Sequence, residues 1–180
     1  MKNSPVIRQA SVTDAPGVSR LLRSAMLTYC ADSGIASTML EAMTESIESV
    51  ADRIRRQMCL IAVIDDEIVG TICIKECPNP LVYSFSDTTY DFLKDYGSCS
   101  YISRFAVKEK YRKTGLGIDL ITKAIELARG NGTDLILLHS AASNENMVDF
   151  YGKRGFDLID SENSRGYMRG LFASRSDSLS

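Results

Sequence analysis

The chain has 180 residues, of which 44% are apolar and 24% are charged, and its formal net charge is −2. This composition is typical of a folded globular protein and excludes a long disordered chain or a protein with general affinity for nucleic acid. No apolar run approaches the roughly 18 residues of a transmembrane helix, and the first residues lack the apolar core of a signal peptide. We therefore expect a cytoplasmic protein whose partners include neither a membrane nor a nucleic acid.

The cysteine and histidine content gives no sign of a metal site. The chain has five cysteines and a single histidine, His139, and it contains no CxxC pair. An odd number of cysteines without a leader segment predicts free thiols rather than a disulfide framework. We therefore expect that no metal is bound.

In the N-terminal half, the apolar spacing predicts a short strand, two helices and a hairpin. Ser11 and Asp14 have the form of a capping box, which starts the first helix. The two hairpin arms are rich in Val and Ile and meet at a tight turn of Asp65, Asp66 and Glu67. The predicted elements are a strand at 6–10, a helix through Met26, a loop from Cys30 to about Thr38, a helix from about Met39 to Arg56, and strands at 59–64 and 68–76.

In the C-terminal half, residues 77–99 lack a clear period and interleave five aromatic side chains with Asp87, Asp91 and Asp95. A segment of this kind is typical of a lid or of a short extra helix. Residues 134–140 are nearly all apolar, which indicates a strand covered on both faces. The remaining predicted elements are a strand at 100–107, a helix from Leu116 to Gly130, a helix from about Ser143 to Gly152, a closing hairpin within 156–173, and a disordered tail at 173–180.

Gly115 and Gly117 follow a cluster of basic residues and precede the predicted helix. The first N–H groups of a helix bind anions, glycine lets the backbone approach a ligand closely, and Arg112 adds a charged donor. The basic cluster alone is equally typical of a solvated loop. A P-loop needs a Lys directly after its glycines, and a Rossmann loop needs a third glycine where Leu120 stands, so neither pattern fits. The segment therefore predicts a pyrophosphate site of another class.

A second motif occurs after the next predicted strand, with Asn144 followed by Phe150-Tyr151 and Gly155-Phe156. Together with the RxxGxG segment at 112–117, it resembles the GNAT superfamily of acyl-CoA-dependent N-acetyltransferases, with Met147 where that family usually has Ala. The resemblance implies an α/β (α+β) fold in one domain over 1–172. The expected fold is a central mixed sheet, mostly antiparallel with a splayed parallel pair, flanked by helices on both faces.

The resemblance also implies acetyl-CoA (coenzyme A) as the co-substrate, without a metal. The pyrophosphate would lie on the amides of residues 113–118, and the pantetheine arm would pair with the strand that precedes them. Asn144 would hold a pantetheine amide, and Lys153 would contact the 3′-phosphate. The expected acetyl-CoA contacts are Phe105, Ala106, Val107, Arg112, Lys113, Thr114, Gly115, Leu116, Gly117, Ile118, Asn144 and Lys153.

By the same resemblance, a primary amine would attack the thioester directly in a ternary complex. A strand N–H near Phe105 would stabilise the oxyanion that forms. Tyr151 would protonate the leaving thiolate, because a phenol with a pKa of about 10 keeps its proton at neutral pH. The alternative for Tyr151 is a buried core aromatic beside Phe150.

The base that accepts the amine proton is less defined. Many family members carry Glu or His on the strand before the glycine loop. Here strand alternation places Tyr101, Ser103 and Phe105 on one face, which carries neither a carboxylate nor an imidazole. Tyr101 or Ser103 would then orient a water molecule, and His139 is the alternative base.

The resemblance implies that the acceptor would be a primary amine of a small molecule or a protein. In this fold it usually approaches through the segments that correspond to residues 28–45 and 77–99. A non-catalytic acyl-CoA-binding module on the same fold is the alternative function, because the strand carboxylate is missing. The sequence does not decide whether the chain forms a homodimer.

Overall fold

The structure is a computed structural model, and it describes residues 4–163 and 165–175. The sequence predicts one domain over 1–172, and the structure divides into two compact units. Of the described residues, the first unit comprises those within Met1–Ile74 and Ser103–Glu126, and the second comprises those within Lys75–Ile102 and Leu127–Ser180.

Strands and helices follow one another in the predicted order. The strands are β1 (Val6–Gln9), β2 (Met58–Ile64), β3 (Glu67–Cys77), β4 (Cys99–Val107), β5 (Leu135–Ala141), β6 (Asp157–Glu162) and β7 (Arg169–Arg175). The α-helices are α1 (Ala15–Ser33), α2 (Glu41–Thr44), α3 (Ile47–Arg56), α4 (Asp87–Leu93), α5 (Leu116–Gly130) and α6 (Glu145–Gly152). Short 3₁₀ turns occur at Val12–Asp14, Ser37–Met39, Pro80–Tyr83 and Glu109–Tyr111. Within the described residues, no helix is both long enough and apolar enough to span a bilayer.

The strands form one seven-stranded sheet in the order β1-β2-β3-β4-β5-β7-β6. Strands β4 and β5 run parallel, with Ser100–Ile102 opposite Ile136–Leu138. The pairs β1–β2, β2–β3, β5–β7 and β6–β7 are antiparallel. This confirms the predicted fold class, a mostly antiparallel mixed sheet with one parallel pair and flanking helices, and it confirms the closing hairpin.

The first unit has its own core, in which α1 and α3 pack their apolar faces against β2 and β3. Leu22 on α1, Val50 on α3 and Ile61 on β2 belong to this core and are each at most 2% exposed. The predicted capping box is confirmed, since the Ser11 N–H donates to Asp14 Oδ2 at 2.7 Å just before α1. Helix α1 continues to Ser33, beyond the predicted loop start, and ends at Gly34 with φ 67°.

The predicted continuous helix from Met39 to Arg56 is wrong. Helix α2 ends at Thr44, and Glu45 is extended, with φ −62° and ψ 129°. Ser46 then caps α3, because its side chain accepts a hydrogen bond from the Ser49 N–H at 3.1 Å. A serine that bonds the backbone in this way favours a helix start over a helix interior. Only the C-terminal part of the predicted helix is therefore one element.

In the second unit, the core lies among β5, β7 and the segment that precedes β4. Leu93, Leu135 and Leu171 are fully buried there, and aromatic side chains of residues 77–99 pack on them. That segment contains α4, so the short extra helix expected there exists. Strand β7 continues to Arg175, and Ala173 is 2% exposed opposite Leu137, so the predicted tail at 173–180 begins too early. Residues 176–180 of that tail lie outside the described residues.

Candidate active site

The turn before α5 has the backbone geometry expected of an anion site. Lys113 and Gly115 both lie in the left-handed region, with φ 61° and 97°. A Cβ at Gly115 would meet no atom within 4 Å. Glycine is therefore favoured there by its positive φ, and not by lack of space for a side chain. Alternation of left-handed and other residues at a helix start forms a concavity of N–H groups that binds anions. The Asp119 N–H donates to Gly115 O at 3.0 Å, which continues the helix from this turn.

Arg112 is fixed at the base of this turn. Its Nε donates to the carbonyl of Val107 at 3.1 Å, and its side chain is half-buried. Lys113 and Thr114 are exposed, whereas Leu116 is buried and anchors the start of α5. Gly117 is partly buried and Ile118 is 46% exposed. The turn therefore places a guanidinium and an ammonium group beside the first turn of a 15-residue helix.

Strand β4 is not regular at the residues expected to contact acetyl-CoA. Ala106 is buried, and Phe105 and Val107 are half-buried. Arg104 has φ 52°, which is uncommon for any residue other than glycine and lies outside the extended region. The predicted alternation of Tyr101, Ser103 and Phe105 on one face is therefore interrupted between Ser103 and Phe105.

The structure brings a carboxylate to β4 that the sequence pattern does not predict. Glu45 lies 3.1 Å from Arg104 Nε and is 6% exposed as a side chain. Burial by itself raises the pKa of Glu45, but the guanidinium groups of Arg53 and Arg104 outweigh burial, so the pKa lies below its usual value. The available sequence signal was Ser46, whose capping role leaves Glu45 outside both helices.

In the second unit, Tyr101 and His139 are in direct contact. The Tyr101 hydroxyl lies 2.9 Å from His139 Nδ1, and both side chains are partly buried. The Nε2 atom of His139 is buried and has no hydrogen-bond partner among the described residues. Burial, and then the positive charges of Arg169 and Arg165, lower the pKa of His139 to about 3. His139 is therefore neutral at neutral pH and a weak base.

Aromatic rings of the 77–99 segment surround this pair. Tyr83 stacks on Tyr101 with ring centroids 4.4 Å apart and an interplanar angle of 8°, and Phe85 lies 6.5 Å from His139. The acids of the segment point elsewhere, since Asp91 is exposed and pairs with Lys94 at 2.7 Å. This arrangement fits a lid that packs its rings inward and leaves its carboxylates in water.

Tyr151 and Asn144 are both buried in the second unit. Tyr151 is 5% exposed, and its ring centroid lies 5.6 to 5.9 Å from those of Phe150, Phe156 and Phe172. Asn144 is 3% exposed and caps α6, because its Oδ1 accepts from the Met147 N–H at 3.2 Å. Tyr151 thus packs in an aromatic core and Asn144 caps a helix, whatever further role either residue has in binding.

The remaining predicted residues occupy less confined positions. Lys153 is 69% exposed as a side chain and pairs with Asp149 at 2.7 Å, so a phosphate would compete with that carboxylate. Ser103 is half-buried on β4. Among the residues that the structure describes, no group of three or more His, Cys, Asp or Glu side chains could hold a metal ion.

A family model described as "Acetyltransferase (GNAT) family" matches residues 36–156. The chain belongs to the GNAT family. N-alpha-acetyltransferase 30 of Homo sapiens is 29% identical to this GNAT chain over 119 residues, which are 66% of this chain and 29% of that protein. The chain therefore spans well under half the length of this curated relative.

Solved GNAT structures share the fold at low sequence identity. The PaiA N-acetyltransferase of Thermoplasma acidophilum, solved in complex with coenzyme A, has a TM-score of 0.74 and 19% identity, covering 96% of this chain and 99% of that one. A GNAT family acetyltransferase of Streptococcus agalactiae has a TM-score of 0.76 and 15% identity, covering 98% of both chains. These similarities extend the fold assignment over nearly the whole GNAT chain.

Proposed function

We propose that this GNAT chain is an acetyl-CoA-dependent N-acetyltransferase that moves an acetyl group to a primary amine of a small molecule or a protein. The observation that carries the proposal is the turn before α5. It combines the left-handed Lys113 and Gly115 with a fixed Arg112 at the start of a helix. The coenzyme A in the similar Thermoplasma structure supports the same choice of donor.

The donor is held mainly through its phosphates and its pantetheine arm. The pyrophosphate lies against the N–H groups of residues 113–118, where the helix start and the cations of Arg112 and Lys113 favour negative charge. The pantetheine arm pairs with the backbone of Phe105 and Val107. Asn144 contacts a pantetheine amide, and Lys153 contacts the 3′-phosphate.

In the reaction, the amine nitrogen forms a bond to the thioester carbonyl carbon, and the C–S bond then breaks. A strand N–H near Phe105 stabilises the oxyanion. Tyr151 gives its phenolic proton to the departing thiolate, and its rigid aromatic surroundings hold the hydroxyl in one direction. Ring packing and proton donation are compatible roles for one tyrosine.

Tyr101 and His139 assist in removing the amine proton. Because His139 is a weak base, it is better suited to orient a water molecule than to store the proton. Tyr101 is hydrogen-bonded to His139 Nδ1 and fixes the orientation of the imidazole ring. Ser103 is the second residue that can orient a water molecule. The proton then passes to solvent.

The name of the human relative, N-alpha-acetyltransferase 30, supports the α-amine of a polypeptide as the first acceptor to test. The experiment is incubation with acetyl-CoA and a panel of peptides, polyamines and lysine derivatives, with the free CoA thiol measured and the product identified by mass spectrometry. Amine-dependent thiol release with a 42 Da gain on the acceptor is expected, since acetylation replaces one hydrogen by an acetyl group. Acetyl-CoA binding without release on any amine would support the acyl-CoA-binding module instead, and the absence of both would contradict the proposed donor.

A further inference from the structure

Glu45 is the centre of a charged cluster that joins helices α1 and α3 and strand β4 of the first unit. Its carboxylate binds Arg53 of α3 and Arg104 of β4, with 2.8 Å to Arg53 Nη1 and 3.1 Å to Arg104 Nε. Its backbone carbonyl accepts a hydrogen bond from Arg23 of α1 at 3.2 Å. One short segment between α2 and α3 is thus tied to two helices and to the strand that precedes the glycine turn.

The acceptor capacity of the Glu45 carboxylate is fully used. Oε1 accepts from Ser49 Oγ at 3.0 Å and from Arg53 Nη2, and Oε2 accepts from Arg53 Nη1 and Arg104 Nε. An ionised carboxylate has about four lone-pair sites, so none is left for a proton from a substrate amine. Glu45 therefore does not act as the general base, although it is the carboxylate that the structure brings to β4.

Arg104 needs such an anchor because of its backbone. Its φ of 52° lies in the left-handed region, and residues other than glycine persist there only where the surroundings hold them. The side chain is 21% exposed and ends on Glu45, with Glu41 further away at 3.9 Å from Nη2. The next residue is Phe105, so the direction of the strand backbone at Phe105 depends on the conformation of Arg104.

We infer that Glu45 and Arg104 are positioning residues for acetyl transfer: by holding Arg104 in its left-handed conformation, Glu45 sets the orientation of the β4 backbone at Phe105. The inference rests on the proposed function, in which that backbone pairs with the pantetheine arm and supports the oxyanion. A misaligned backbone N–H donor stabilises the transition state less, while it changes substrate binding to a smaller degree. We therefore expect the effect mainly in kcat.

The cluster contains its own control. Arg53 binds the same carboxylate but lies on α3, so Arg53→Met removes an ion pair of Glu45 without changing the residue that carries the unusual φ. Arg104→Met removes the ion pair with Glu45. Methionine has a Cβ, so a positive φ stays as unfavourable as it is for arginine. Arg104→Gly also removes the anchor, but glycine adopts φ near 52° without penalty.

The test measures kcat, the KM of acetyl-CoA and the KM of the acceptor for the three variants, well below each melting temperature. We expect Arg104→Met to lower kcat by about tenfold or more, with both KM values changed by less than about threefold. Arg104→Gly recovers part of this loss, and Arg53→Met lowers the melting temperature while keeping kcat within about twofold. A kcat of Arg104→Met close to that of the wild type would overturn the inference. So would equal losses in Arg53→Met and Arg104→Met, or an Arg104→Gly variant no better than Arg104→Met.

A second measurement does not depend on turnover. Amide hydrogen exchange of a peptide covering β4 is expected to accelerate in Glu45→Gln and Arg104→Met, and to stay near the wild-type rate in Arg53→Met. Unchanged exchange in both Glu45→Gln and Arg104→Met contradicts the positioning role. A wild-type chain without turnover on any amine contradicts the proposed function instead, and the exchange experiment still decides whether Glu45 holds this strand.

Discussion

At the scale of single residues, the contact between Tyr101 and His139 limits what this imidazole can do in the proposed reaction. The two side chains are bonded at 2.9 Å, and the pKa of His139 is lowered to about 3, first by burial and then by Arg169 and Arg165. An imidazole of this kind stays neutral throughout the physiological range. It can orient a hydroxyl group or a water molecule, but it cannot hold the proton of an amine for long.

The neutral His139 should make the folded protein sensitive to mild acid. Its pKa is lower in the folded chain than the ordinary value of 6.5, so the unfolded chain binds the proton first as the pH falls. The free energy of unfolding therefore decreases below pH 6.5 and continues to decrease towards the folded pKa of about 3. From about pH 7 to about pH 5, the contribution of His139 amounts to about 2 kcal/mol. Urea unfolding at both pH values measures it.

Two variants separate this effect from the titration of other groups. His139→Gln should lose less stability than the wild type over the same pH interval, by about that amount. Tyr101→Phe removes the hydrogen bond but keeps the imidazole, so its pH dependence should remain close to that of the wild type. Identical pH slopes in His139→Gln and the wild type would show that His139 is not held neutral by the fold.

Tyr151 permits a clean test of an acid role, because only its hydroxyl oxygen needs to be removed. Tyr151→Phe keeps the ring contacts with Phe150, Phe156 and Phe172, and its kinetics are measured well below its own melting temperature. If the phenol protonates the leaving thiolate, kcat should fall by roughly 10²-fold, the usual range for loss of a general acid. An unchanged kcat in Tyr151→Phe would assign this tyrosine to the core alone.

At the scale of elements, the sequence predicts those features whose cause is local. The capping box of Ser11 and Asp14 and the turn of the β2–β3 hairpin depend on neighbouring residues, and both occur where the sequence places them. The turn at Gly115 is local in the same sense. The Glu45–Arg104 ion pair could not be predicted, because 59 positions separate the two residues. A local sequence pattern does not indicate which distant residue a charged side chain contacts. The break between α2 and α3 was missed for a related reason, since the cap of Ser46 competes with a helical apolar stripe that continues across it.

The turn before α5 makes a prediction that concerns the donor alone. Arg112→Ala removes the guanidinium fixed to Val107, so the KM of acetyl-CoA should rise about tenfold, in the range for one hydrogen bond to a charged group. The KM of the acceptor should stay near the wild-type value. Lys123→Ala removes an exposed cation further along the same helix and controls for the change in net charge. Equal KM values of acetyl-CoA in both variants would contradict a phosphate site at this turn.

At the scale of the whole molecule, two short motifs were sufficient to predict the family and the fold. Each motif is a few residues long, and only their order along the chain distinguishes them from a chance match. The acceptor could not be predicted in this way, because the contacts proposed to bear on it join distant segments. The contact between Tyr101 and His139 joins positions 38 residues apart, and Tyr83 stacks on Tyr101 from a third segment. Such juxtapositions follow from the sheet, not from any pattern in one segment.

In the proposed function, the weak basicity of His139 also bears on which amine is preferred. A polypeptide α-amine has a pKa of about 7.7 to 8.0, so roughly one in ten is unprotonated near pH 7, whereas a lysine amine with a pKa of about 10.4 is free in only about one of 2,500 copies. If His139 and a water molecule take the amine proton as proposed, the acceptor that loses its proton to water most readily should be favoured. We therefore expect kcat/KM for a peptide α-amine to rise with pH and to level off above about pH 8, following the pKa of the peptide. The matched control is the same peptide with its α-amine blocked and one lysine free, for which kcat/KM near pH 7 should be about 10²-fold lower. Comparable values for the two peptides, or a plateau that tracks a group of the protein instead of the peptide, would show that the chain supplies a base of its own.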